Sequence, residues 1–174
     1  RPGGLRPLPL PENGGTLKAL RGFLHLESEA DAELLITFLL AALRPSGPYP
    51  VVALQSEQGS GKSTVARMIR ELIDPRKAAL QNTPREPRDL MIAAQNNWLL
   101  NFDNVSWLPD WLSDGPRRIS TGGGFQTREL YTDGAEHIID VTRPIILNGI
   151  TGLASRGDLV DRIIHLSCAP IPDD

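Results

Sequence analysis

The sequence predicts an α/β domain, a mostly parallel β-sheet with helices on both of its faces. Three observations carry that expectation. Apolar runs that end in polar residues occur near 51–55, 98–104, 144–149 and 163–167. Segments with helical spacing or helix-start signals lie before and between them. One strand-to-helix junction, Val51-Val52-Ala53-Leu54-Gln55-Ser56-Glu57-Gln58-Gly59-Ser60-Gly61-Lys62-Ser63-Thr64, also has the composition of a loop made to meet an anion. Strands covered on both faces read as continuous apolar runs, and their alternation with helices favours parallel pairing.

In chain order, residues 1–16 are rich in Pro and Gly and read as an extended arm without regular structure. Residues 17–48 form an N-terminal helical segment packed on the core, and 49–174 form the core itself. Within 17–26 either a short helical turn or a docking strand fits. Ser28 can cap a helix whose first turn holds Glu29 and Asp31. That helix runs to about Leu43 and stops at Arg44-Pro45. Leu34, Phe38 and Ala41 share one face, with Leu35, Leu39 and Ala42 beside them, which predicts burial against the sheet. Residues 46–50 turn into the first strand. The next helix starts near Lys62 and ends at Ile73-Asp74-Pro75.

Lys77 to Gln81 is expected as a short edge strand, Arg88 to Asn96 as a helix, and Trp98 to Asn104 as a second buried strand. A helical turn is expected at Leu108–Ser113, begun near Pro109, followed by the glycine triplet within Thr121–Phe125. Thr127–Tyr131 and His137–Val141 flank Asp133-Gly134, a hairpin signal. Pro144–Gly149 is a third buried strand, Ser155–Asp161 a short helix, and Ile163–Ser167 the last strand, opened by Arg162. No internal repeat is visible.

Composition sets bounds. A chain of 174 residues holds one domain with a sizeable core, and 40% apolar with 22% charged residues fits a soluble globular protein. A net charge of −3 carries no global basic footprint for nucleic acid, which leaves that role to a local basic loop. The single Cys168 follows an apolar run and reads as a core thiol. The longest apolar run, Leu34–Leu43, is too short to span a bilayer, so no membrane role is expected and the cytoplasm is the expected compartment. The absence of an initiating Met, and an end soon after an apolar run, suggest a piece of a longer protein.

The chemistry starts at Glu57-Gln58-Gly59-Ser60-Gly61-Lys62-Ser63-Thr64. Glycines let backbone N–H groups crowd around an anion, and the helix that follows adds the positive end of its dipole. Lys62 suits the terminal phosphates of a nucleotide, and the Ser63 hydroxyl suits Mg²⁺. The usual pattern is G-x-x-x-x-G-K-[ST], and Ser56 stands where its first glycine would be. In parallel sheets ligands sit beyond the carboxyl ends of the strands, where Asp103-Asn104 and Asn148 also fall. From there Asp103 can reach Mg²⁺ through its water shell. Asn104 stands where many ATPases carry a glutamate. Its amide can orient water but cannot take its proton, so slow hydrolysis is expected, with Glu57 inside the loop a candidate substitute. Asn148 reads either as a contact to the γ-phosphate or the attacking water, or as a plain Asn-Gly turn. Arg156 and Arg162 read either as charge-stabilising groups at a neighbouring subunit's phosphate or as surface partners of Asp158 and Asp161.

The order of these parts resembles that of the AAA+ P-loop ATPases. Lys62 and Asp103 lie only 41 residues apart, and the hairpin region Glu129–Asp140 precedes Asn148. In these respects the chain is similar to superfamily 3 and primase-linked helicase domains of viruses, phages and bacterial mobile elements. The segment Gly122–Asp133 is similar to a stretch in bacterial ATP-binding proteins of that kind. The resemblance covers about Leu17 to the C-terminus and implies ATP hydrolysis by a hexameric ring. Lys62, Ser63 and Asp103 would bind Mg-ATP, Asn148 would be the sensor, and Arg162 the finger given to a neighbour. The hairpin would touch single-stranded DNA, although its tip, Asp133 to Glu136, is acidic. Three functions compete: a DNA motor, a slowly hydrolysing switch that recruits protein partners, and a small-molecule kinase. The absence of an Arg-rich lid and the presence of the hairpin argue against the third.

Overall fold

A computed structural model describes residues 4–106, 119–121, 125–128, 136–139, 141–149 and 163–170. Its elements are α1 (Leu17–Phe23), α2 (Glu29–Ala42), β1 (Val51–Gln55), α3 (Lys62–Ile73), α4 (Pro87–Asn96), β2 (Leu100–Val105), β3 (Phe125–Arg128), β4 (Glu136–Ile139), β5 (Ile145–Gly149) and β6 (Ile163–Ser167). Four strands form one parallel sheet in the order β2-β5-β1-β6. β3 and β4 pair antiparallel, Phe125 opposite Ile139 and Arg128 opposite Glu136, as the hairpin signal predicts. The turn at 108–113, the glycine triplet 122–124, the hairpin tip, the helix expected over 155–161, Arg156 and Arg162 lie outside the described residues.

The strands alternate sides with a period of two, and this splits the core. Val51 and Ala53 of β1, with Ile145 and Leu147 of β5, face α4 through Leu90, Met91 and Ala94. Val52, Leu54 and Ile146 face the opposite way, toward Phe38 and Leu39 of α2 and Val65, Ala66 and Ile69 of α3. The sheet is therefore covered by helices on both faces, as expected.

Three elements differ from the sequence reading, each for a physical reason. The second strand starts at Leu100 because the amides of Trp98 and Leu99 donate to Asp74 Oδ2 (2.9 and 3.1 Å). The edge strand expected at 77–81 shrinks to a single rung: Gln81 N donates to Asn101 O (2.9 Å), and Gln81 O accepts from Asp103 N (2.9 Å). The residues before it are engaged by the arm, with Lys77 N on Gly4 O (3.0 Å) and Arg76 bridged to Leu5. In α2 the buried stripe is Ala32, Leu35, Phe38, Leu39 and Ala42, while Leu34 faces outward, because the helix packs on one side only. Between Leu17 and Leu26 both alternatives occur: α1, capped by Thr16, and then a bridge from Leu26 to Cys168.

Beneath α3 lies a buried charged cluster. Arg70, fully buried, pairs with Asp74 (3.4 Å) and also meets the carbonyl of Leu99 and Asn97 Oδ1 (2.7 Å). Arg76 Nε joins the same carboxylate at 3.2 Å. Burial lowers the Arg70 pKa to about 10, against the opposing pull of Asp74. The cluster ties the end of α3 to the entrance of β2, and so sets how the two elements that carry Ser63 and Asp103 lie.

Candidate functional site

β1 delivers the chain into the loop, and two glycines shape it. Gly59 and Gly61 have φ of +86° and +76°, a left-handed conformation that strains any L side chain. Gly61 is the N-cap of α3 and offers no side-chain cap. The first helical bonds run from Thr64 N and Val65 N to Gly61 O (2.9 and 3.0 Å). The earliest amides of an α-helix have no intrahelical acceptor, so this end of α3 suits an anion. Ser60, buried within the loop, tightens it by donating to Glu57 O (2.9 Å).

Lys62 Nζ folds back over the loop. It donates to Ser56 O (2.9 Å) and Ser60 Oγ (3.1 Å), and meets the carbonyl of Glu57. Glu57 thus belongs to the loop through its backbone. A cavity of about 580 Å³ opens above, lined by Gln58 to Thr64, Asp103, Asn104, Asn148 and Gly149.

Topology makes the site. β5 lies between β1 and β2, with Asn148 level with Leu54 at the end of β1. Its side chain therefore stands between the loop and Asp103. Asn148 Nδ2 donates to Ser63 Oγ (3.0 Å) and meets Asp103 Oδ1, while Ser63 Oγ donates to that same oxygen at 3.1 Å. Asn148 is buried, which a plain exposed turn would not require. Next to it, the β2–β5 register shifts between Phe102 and Val105, and Asn104 within that shift has φ +54° and an exposed side chain.

The structure thus brings Lys62, Ser63, Asp103 and Asn148 together and sets Asn104 on the rim, while Arg162 lies outside the described residues. Sequence reasoning missed a further contact: Ser56 Oγ donates to Cys168 O at 2.7 Å. The serine in a glycine's place was the available signal. Ser63 and Asp103 offer two hard oxygens within 3.1 Å of each other, a set that fits Mg²⁺. Among the described residues no cluster of three or more His, Cys, Asp or Glu could hold a metal alone. A magnesium ion here would complete its shell with phosphate and water oxygens. A larger cavity of about 730 Å³, lined by Pro7, Pro9, Leu20, Phe23, Met68 and Leu72 among others, shares Thr64 with the site but is mostly apolar. Among the described residues, no helix is long and apolar enough to cross a membrane.

Comparison with known proteins agrees with a replication role. No curated protein matches the chain. Among solved structures, JCV helicase, in a crystal structure with a bound phenoxyphenyl-acetamide compound, is similar at 13% identity and a TM-score of 0.52. The match covers 89% of this chain and 46% of that one, so the chain spans about half the helicase's length. At that identity the likeness is one of fold. A family model matches residues 17–170, nearly the whole sequence, and the chain belongs to the family it describes, the actinomycete integrative conjugative element replication proteins.

Proposed function

We propose that this domain binds ATP with Mg²⁺ in the cavity over loop 56–64 and hydrolyses it as an AAA+-type motor of a replication protein. The observation that carries the reading is the convergence of Lys62, Ser63, Asp103 and Asn148 on one cavity at the carboxyl edge of a parallel sheet. The glycine-shaped loop and the start of α3 receive the phosphates. Lys62 exchanges its loop carbonyls for phosphate oxygens. Ser63 and Asp103 hold the metal, which when bound neutralises phosphate charge. Asn148, fixed between them, orients the terminal phosphate or the attacking water. The replication family and the helicase-like fold support a motor acting on single-stranded DNA, with the β3–β4 hairpin as the contact and Arg162 as the group given to a neighbour in a ring.

One observation favours a slower variant, an ATP-dependent switch that recruits partners. Among the described residues, Asp103 is the one carboxylate lining the cavity, and the position beside it is an exposed asparagine. Calorimetric titration with Mg-ATP tests the reading. Lys62→Ala is expected to weaken binding at least about tenfold, as losing a hydrogen-bonded charge does. Unchanged affinity in that variant would sink the assignment. Turnover stimulated by single-stranded DNA supports the motor, whereas turnover that rises sharply in Asn104→Glu supports the switch.

A further inference from the structure

We infer that Ser56 is a positioning residue that couples the loop's nucleotide-binding conformation to the segment leaving β6; this rests on the nucleotide reading above. In the parallel ladder between β1 and β6, Gln55 stands opposite Ser167, and Cys168 N donates to Gln55 O at 3.2 Å. The next rung of such a ladder would run from the amide of residue 57 to Cys168 O. The chain has already turned into the loop there, and the Ser56 hydroxyl takes that acceptor instead, at 2.7 Å. A glycine, the usual residue at this place, has no group to do so.

Ser56 is held from both sides. Its hydroxyl grips the β6 segment, while its carbonyl accepts Lys62 Nζ at 2.9 Å. The Lys62 ammonium and the Cys168 carbonyl are therefore joined through one residue. The β6 segment is in turn laced to the chain before α2. Glu27 N donates to Ser167 O (2.8 Å), Ala169 N donates to His25 O (3.1 Å), and His25 Nε2 lies 3.0 Å from Pro170 O. When Lys62 leaves the Ser56 carbonyl for phosphate, Ser56 settles onto its remaining partner at Cys168. Nucleotide then tightens residues 167–170 and the 25–27 strip bonded to them, and the chain that continues from β6 senses whether the loop is filled.

Hydrogen exchange at the Glu27 and Ala169 amides, with and without Mg-ATP, tests the coupling beside calorimetric affinities. In the wild type, saturating Mg-ATP is expected to slow exchange at both amides severalfold. Ser56→Ala should still bind Mg-ATP, about two- to tenfold more weakly, the range one hydrogen bond supplies, but lose most of that added protection. Ser56→Thr keeps the hydroxyl and should recover it, and Ser56→Gly should behave as Ser56→Ala. Full nucleotide-dependent protection in Ser56→Ala overturns the inference while leaving the ATP site intact. Absence of Mg-ATP binding in the wild type overturns the nucleotide reading and the coupling with it.

Discussion

On the ATPase reading proposed above, Asn104 stands where many ATPases carry a glutamate, and its backbone favours the amide there. Its φ of +54° lies in the left-handed region, which asparagine enters far more readily than alanine or glutamate. Its side chain is exposed, so burial adds little to a substitution there. Asn104→Ala keeps the strained backbone without a side chain that tolerates it, at a cost of about 1 kcal/mol. Asn104→Gly relieves the strain and should stay within about 0.5 kcal/mol of the wild type. In a chain of 174 residues each kcal/mol moves the melting point by about 2–4 °C. Scanning calorimetry should therefore place Asn104→Ala about 3 °C below Asn104→Gly, with Asn104→Glu beside the alanine variant. If carboxylate is what the site lacks, Asn104→Glu should lose stability and gain turnover together, the gain reaching tenfold or more. Alanine and glycine variants that melt together would refute the backbone argument. A glutamate variant whose turnover stays at the wild-type value would refute the chemical one.

Two further outcomes concern the core and the segment behind β6. Asp74→Ala strips the carboxylate from buried Arg70 and from Arg76 and orphans the amides of Trp98 and Leu99. Denaturant unfolding should show a loss of about 3–5 kcal/mol, with Asp74→Asn less severe because its amide oxygen still accepts. The Cys168 thiol is buried, and burial raises its pKa from 9.0 to about 11. Its contribution to stability is whole below 9.0 and is lost as pH rises toward about 11, because the unfolded chain sheds the proton first. Alkylation by iodoacetamide near neutral pH should be slow in the native protein and fast in urea, and fast native labelling would contradict the burial.

Where local chemistry decides an element, the sequence reading and the structure coincide. Gly61 before Lys62, and Asp74-Pro75 after Ile73, bound α3 as expected, and the apolar run Ile163–Ser167 is β6. Where a distant residue decides, the reading drifts. Nothing near Trp98 announces that Asp74, 24 positions earlier, captures its amide and delays the strand. Nothing near Lys77 announces that the arm holds it. The outward face of α2 also follows from which neighbours reach it, and a stripe of leucines alone does not say that. In the site, residue types at strand ends pointed to Lys62, Ser63, Asp103 and Asn148. Their contacts depend on β5 entering between β1 and β2, two strands that both precede it in sequence.

That insertion has a consequence for the order in which the protein is made. The strand that launches the loop and the strand that carries Asp103 each bond to β5 and not to each other. In a chain emerging from the ribosome, the loop side and the Asp103 side of the cavity therefore lack the strand that joins them until Ile145–Gly149 appears. Some forty residues of synthesis separate the end of β2 from the start of β5. During that interval the apolar edges of β1 and β2 are unpaired, the state in which nascent sheets are most prone to association. When the strand bearing Asn148 enters, it pairs the facing edges of β1 and β2 and brings Asn148 to Ser63 and Asp103 together, while the other edge of β1 waits for β6. Pairing of β1 with β2 through β5 and completion of the Ser63–Asp103–Asn148 cluster therefore depend on the same strand.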